Sequence, residues 1–519
     1  MQARPAALFA KMRALPDASG SFFLLLRPCR VFSDGLLRRV AVSACAGMTF
    51  LKTPNHPETF MLLDINRYSF AVFAKETKAL AALAWPMMLA QIAAVGLGFV
   101  DTVMAGGAGK ADLAAVALGS AAFATVFITW MGVMAALNPV VSQLHGAGEA
   151  HSVGEAGRQG LWFGLLLGLA GMGLLLAAVP PFLWYLDLPQ PVEDMLAQYL
   201  WFTAPAMPAM MLYRALHAYT TSLGRTQAVM WVSWAGLLLN IPLNYVFVYG
   251  KFGLPALGGA GCGLATMLVC WFEAAALWLY VKRAAFFRPF SLANGFSKPD
   301  PAMLRQLWQL GWPSGLSYFL EASLFTFIMF LIAKFGEDYV AAQQVVISLT
   351  GIIYMIPQAL GAAVTVRVGF ALGRRQKRRA RYIAGAGIAS GLALACCTML
   401  LLMLLRRPLA AVYTSDTAVR ALAAQVLLFA ALFQLFDFTQ CIASYALRGY
   451  KITKAPMLIH GAAFWGFGLL PGWLLANFAA LKIFGFWAAL IFSLACAAVL
   501  LLWLLEKHSK AVLLDKGLS

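Results

Sequence analysis

The sequence predicts an all-α polytopic membrane protein of twelve transmembrane helices in two pseudo-symmetric six-helix lobes. Three observations carry that reading: a series of long apolar runs, a steep imbalance of basic residues between alternate loops, and an internal repeat at one constant offset.

The apolar runs come first. Of 519 residues, 62% are hydrophobic and 12% charged, about half the charged share of a soluble domain. One bilayer crossing takes about 20 apolar residues of helix. Runs of that kind lie near 80–104, 113–141, 160–181, 196–219, 228–249, 260–282, 308–333, 340–364, 382–405, 421–445, 457–478 and 484–505. They hold Gly, Ala, Leu and Met without period-two alternation, so a helical bundle follows and a β-barrel does not.

The charge supports the same architecture. A net charge of +18 invites a nucleic-acid partner, but its placement argues against one. With the chain start on the cytoplasmic side, the loops on that side from residue 61 onward carry 23 Lys and Arg against 7 on the other. That is the positive-inside pattern, and it places both termini in the cytoplasm and the protein in the cell inner membrane. The densest cluster, Arg374 to Arg381, reads as an anchor against lipid phosphate. The eight cysteines include no CxxC pair and imply neither a disulfide framework nor a zinc site.

Residues 1–60 differ from the rest. They are Arg-rich and acid-poor, and the apolar run Phe22 to Leu26 is too short to span a membrane. They read either as a targeting extension or as sequence ahead of a true start at Met61. In either case 1–60 is expected to be disordered and without function.

The repeat divides what remains. At an offset of 227, Trp85-Pro86 falls on Trp312-Pro313, Gly109 on Gly336, Ala114-Ala115 on Ala341-Ala342 and Gly146 on Gly373. Each half holds an even number of helices, so both enter from the same side and the repeat is parallel. The Pro-containing connector FFRPFSLANGFSKPD marks the boundary, giving an N-lobe of 61–298 and a C-lobe of 299–519. Two such lobes suit rocking about a central cavity.

Ionisable groups inside membrane spans are costly and usually functional. Asp101, Glu321 and Asp437 lie within spans, with Arg214 as the evident cation and Glu273 a weaker candidate. Three acids cannot all pair permanently with one arginine. An unpaired buried carboxylate can hold Na⁺ or a proton at one stage and release it at another. Phe325 follows Glu321 by four residues and so shares its helix face, where a ring can offer a cation–π contact. Asn240 and Asn244 are also four apart, with Pro242 between them. They suit either a hard-cation site or interhelical hydrogen bonding. No P-loop, HExxH or GxSxG constellation is present, so neither ATP hydrolysis nor another enzymatic activity is expected. An ion gradient is then the energy source, at about 2.3 kcal/mol per charge per 100 mV.

The strings GFVDTVMAGGAGKADLAAVALG, NPVVSQLHGAG, LLLNIPLNYVFVYGKFG, LGGAGCGLATM, TVRVGFALGRR and SYALRGYK together resemble the multidrug and toxic compound extrusion family, in its NorM-type branch. The resemblance runs from about Met61 to the C-terminus. It implies a V-shaped cavity between the lobes and antiport of lipophilic cationic drugs and dyes against Na⁺ or H⁺, without cofactors and as a monomer. By position it implies that Glu321 and Asp437 bind the coupling Na⁺, with Phe325 and Tyr354 as lining aromatics. Asp101, Asn240, Asn244 and Thr266 match the family's N-lobe polar network. Ser415-Asp416 matches an acidic outer loop near bound drug, although only one of two loop acids is present here. The alternative reading, a lipid-linked precursor flippase of the wider superfamily, would require several cavity cations.

Overall fold

In a bilayer, backbone polar groups must be satisfied within the segment, and a long apolar run does this as a helix. Every expected run is helical. The computed structural model describes residues 70–514 apart from Asp187, Ala293, Asn294, Phe296 and Ala480. The expectation for residues 1–60 therefore lies outside the described residues.

The first half comprises α1 (Phe70–Ala108), α2 (Lys110–Met134), α3 (Leu137–Ala147), α4 (Ala150–Leu186), α5 (Gln190–Thr203), α6 (Ala206–Ser222), α7 (Thr226–Tyr249) and α8 (Gly259–Arg283). A 3₁₀ turn, Ala285–Phe290, opens the connector. The second half comprises α9 (Pro301–Ala333), α10 (Glu337–Gly373), α11 (Lys377–Tyr413), α12 (Thr417–Gly449), α13 (Lys454–Gly461), a π-helical stretch (Ala462–Leu469), α14 (Leu470–Phe478) and α15 (Ile483–Leu514). Joined end to end, these give six passes in each half.

Among the described residues, eleven segments are long and apolar enough to cross a membrane on their own. The fourth pass differs because it is split into α5, of 14 residues, and α6, of 17. Pro205 and Pro208 remove backbone donors at that join. The second pass divides in the same way, at Ala135 and Ala136 between α2 and α3. Gly148 and Gly250 terminate α3 and α7 with φ of 81° and 64°, a conformation open to glycine at little cost.

The helices outrun the apolar runs. At 39 residues, α1 is about 58 Å long at 1.5 Å per residue, so it overhangs a bilayer core of about 30 Å. Its first turns carry Glu76 and Thr77 beyond the apolar stretch.

Within the first half, α1 packs on α7, α7 on α8, α8 on α5 and α6, and α6 on α4. Within the second half, α12 is central, packing on α10, α11 and α15. The halves meet crosswise: α2 lies on α9, while α1 and α3 lie on α10. Glycine permits this close approach. A Cβ on Gly373 would lie 1.9 Å from the Gln143 carbonyl oxygen, one on Gly146 2.1 Å from that of Phe370, and one on Gly311 2.4 Å from that of Val133.

Side-chain bonds between the halves gather at the end of the bundle where α1 begins and α15 finishes. Glu76 of α1 bonds to Arg367 of α10 and, at 2.8 Å, to Arg379 of α11. Gln143 donates to the Gly449 carbonyl at 2.9 Å, and Thr77 meets Ser390 at 3.1 Å.

Candidate functional site

Two polar centres lie within the membrane-spanning helices, one in each half. In the second half, α9 contributes Glu321 and α12 contributes Asp437 to one small cavity. Phe325, one turn after Glu321, forms its wall with Phe433, Phe464 and three leucines. The free space is about that of a single water molecule. Asp437 is buried, at 4% exposure, and Glu321 is half-buried. Tyr354 of α10 approaches the same acid, with its hydroxyl 4.0 Å from Cys441 Sγ. Phe325 meets Phe433 edge-on at 6.4 Å, and Phe433 meets Trp487 at 5.6 Å. Among the described residues neither acid takes part in an ion pair. The cavity thus sets two carboxylates behind aromatic walls, with no Lys or Arg ion-paired to them among the described residues.

In the first half the geometry is different. Asp101 of α1 accepts from Asn244 Nδ2 at 2.7 Å and Asn240 Nδ2 at 3.2 Å, both through Oδ1. Its Oδ2 accepts from Thr266 Oγ1 of α8 at 2.8 Å. Asn244 also donates to Asn240 Oδ1 at 2.9 Å. All four residues expected here are thus joined through Asp101. The amide nitrogens, not the oxygens, face the acid, and one of the two amide oxygens is occupied. Of the two readings of the Asn240/Asn244 spacing, the geometry fits interhelical hydrogen bonding.

Ser415 and Asp416 join neither centre. Asp416 is exposed and caps α12, with Oδ1 accepting from the backbone of Ala418 at 2.8 Å and Val419 at 3.0 Å. Arg214 forms no ion pair with a carboxylate among the described residues; its guanidinium lies 5.3 Å from the centroid of the Phe127 ring. Glu273 is buried against the backbone of Gly236.

The apolar run 421–445 stops short of Arg448, which by sequence counts among the cytoplasmic loop cations. Because α12 continues to Gly449, Arg448 is buried instead, at 6% exposure. Its Nη1 donates to Tyr318 Oη at 3.1 Å, and its guanidinium lies 4.3 Å from the Tyr445 ring centroid. The helices therefore carry an inward-facing arginine besides Arg214, enclosed by tyrosines rather than by acids. Gln440 and His460 were also passed over. Gln440 Nε2 donates to Asp437 Oδ1 at 3.2 Å, and its Oε1 lies 3.0 Å from His460 Nε2. A buried glutamine one turn from an intramembrane acid was the available signal.

Comparison with known proteins bears on the family and on the division into two halves. The MatE family model matches twice, over residues 86–246 and 313–474, one match in each half. A probable multidrug resistance protein NorM from Neisseria meningitidis serogroup A is 65% identical over 450 residues, covering 87% of this chain and 98% of that protein. The multidrug resistance protein NorM of Vibrio cholerae is 38% identical over 451 residues, covering 85% and 98%. Among solved structures, the MATE transporter NorM-NG, in a complex that includes a monobody, superposes with a TM-score of 0.73 at 59% identity, covering 85% of this chain and 96% of that one.

Proposed function

The chain belongs to the MatE family, and from that premise we propose that it expels lipophilic cationic compounds across the inner membrane in exchange for Na⁺, with H⁺ as the alternative coupling ion. It is a multi-pass membrane transporter of the multidrug-efflux class and not an enzyme.

One observation carries the coupling reading: the cavity at Glu321 and Asp437 has two carboxylates, aromatic walls, no ion-paired Lys or Arg among the described residues and room for about one small ion. A drug-sized cation reaches the same acids only after the walls of Phe325, Phe433 and Phe464 part. Drug and ion then exclude one another, and whichever binds shifts the lobes by its differential affinity for the two states. Asp101 has donors on both oxygens, so an ion there must displace hydrogen bonds, which favours the second-half pair as the coupling site. With both termini cytoplasmic, the side-chain bonds between the halves lie at the cytoplasmic end.

The test is ethidium efflux from a pump-deficient bacterium expressing the full chain, with Na⁺ added at fixed pH. Na⁺-triggered efflux that disappears in Glu321→Gln and in Asp437→Asn supports the exchanger. Efflux that ignores Na⁺, follows a pH jump and dies in Asp101→Asn moves coupling to protons and the first half.

A further inference from the structure

Asp437 does not stand alone in its helix. Gln440, one turn on, bridges two unlike partners: its amide nitrogen donates to Asp437 Oδ1 at 3.2 Å, and its amide oxygen faces His460 Nε2 at 3.0 Å. The oxygen can only accept, so Nε2 carries the hydrogen. His460 Nδ1 has no hydrogen-bond partner among the described residues, as suits a neutral ring whose single hydrogen is on Nε2. Reversing the amide would set oxygen against carboxylate and nitrogen against N–H. The histidine therefore fixes the orientation of the glutamine, and the glutamine fixes that of the carboxylate.

The same histidine also touches the cavity wall. Its ring stacks on Phe464 with centroids 5.4 Å apart and planes 9° apart, and Phe464 lines the cavity of Glu321 and Asp437. His460 lies in the last turn of α13, and Phe464 belongs to the π-helical stretch that follows. Wide turns of this kind recur at functional sites. This one is held in place by Ser493, which donates to the Ala463 carbonyl at 2.7 Å, and by Trp465, which donates to the Leu320 carbonyl beside Glu321 at 3.2 Å.

We propose that Gln440 and His460 are positioning residues for the coupling ion, presenting Asp437 and the Phe464 wall in the geometry that binds it. The inference rests on the reading of Glu321 and Asp437 as the Na⁺ site. Outer partners of ion ligands typically change ion affinity by about 10- to 100-fold.

The experiment is equilibrium binding of ²²Na⁺ to the purified full chain in detergent, with the melting temperature and the maximal ethidium efflux rate measured alongside. Gln440→Met keeps the length of the side chain without its hydrogen bonds. His460→Phe keeps the stacked ring without the donor, and His460→Gln restores a donor without the ring. Gln440→Met and His460→Phe are expected to raise the Na⁺ half-saturation about tenfold. The maximal efflux rate at saturating Na⁺ should hold, and His460→Gln should recover part of the affinity. Should either histidine variant fail to fold, Gln440→Met carries the test alone. Unchanged ²²Na⁺ affinity in folded Gln440→Met, with binding abolished in Glu321→Gln and Asp437→Asn, overturns the relay and leaves the coupling site standing. A wild-type chain that binds no ²²Na⁺ overturns both.

Discussion

Asn244 donates to Asp101 at 2.7 Å, while its own side-chain oxygen is buried without a hydrogen-bond partner among the described residues. The amide is thus committed to the acid at the expense of its other end. Removing a donor from a buried carboxylate costs about 1–3 kcal/mol. Asn244→Leu should lower the unfolding temperature in detergent, and Asp101→Asn/Asn244→Leu should lose less than the two single changes summed. Additive losses would show that the two side chains do not act together.

The contact between the halves depends on the absence of a single carbon. A Cβ at Gly373 would fall 1.9 Å from the Gln143 carbonyl, while one at Gly98 meets nothing within 4 Å. Gly373→Ala should spread the halves at that end, read as a longer spin-label distance between α3 and α10. Gly98→Ala should leave the distance unchanged and, by helix propensity, stabilise by up to about 1 kcal/mol. Equal responses would mean that close backbone approach does not set the contact.

Glu76 is the shared partner of Arg367 and Arg379, whose side chains are 23% and 48% exposed. Solvent screening weakens the more exposed pair. In the same spin-label measurement, Glu76→Gln should release the halves most, Arg367→Gln less and Arg379→Gln least. High salt should reproduce part of the effect. A reversed order would sink the assignment of the stronger contact between the halves to the less exposed pair, Glu76 and Arg367.

A lysine cannot replace Arg448, because the planar guanidinium both donates to Tyr318 and lies against Tyr445. Arg448→Lys should cost about 1–2 kcal/mol of stability, measured by thermal unfolding, and Tyr445→Phe should cost less than Tyr445→Leu.

Asp416 has a local task as the N-cap of α12. Asp416→Ala should cost about 1 kcal/mol and speed amide exchange in the first turn of that helix, whereas Asp416→Asn should be close to neutral. Lost dye efflux in Asp416→Asn, with the cap intact, would return this loop to the substrate path.

The passes were legible because apolar length is a strong signal, and the repeat showed through residues such as Pro86 and Pro313, which sit inside the first helix of each half. Asp101, Glu321 and Asp437 were legible for the opposite reason, since charge stands out in an apolar run. What escaped notice lay where those signals end. Arg448 sits in the last turn of a helix that outlasts its apolar stretch, so it read as a loop cation. Glu76 precedes the first apolar run. The split of the fourth pass required tertiary context, because Pro205 and Pro208 mark a break without fixing its geometry. Gln440 and His460 come from different helices, and no spacing along the chain joins them.

Both arginines that hold Glu76 belong to the second half. In the proposed exchange cycle, separation of the halves at that end takes the acid away with its own helix and leaves the two guanidiniums as neighbours without it. Some other anion has to take its place, whether from solution or from lipid phosphate. The reset of the transport cycle is therefore sensitive to the company the protein keeps. A membrane rich in anionic lipid should ease the separated state, and a neutral one should favour closure.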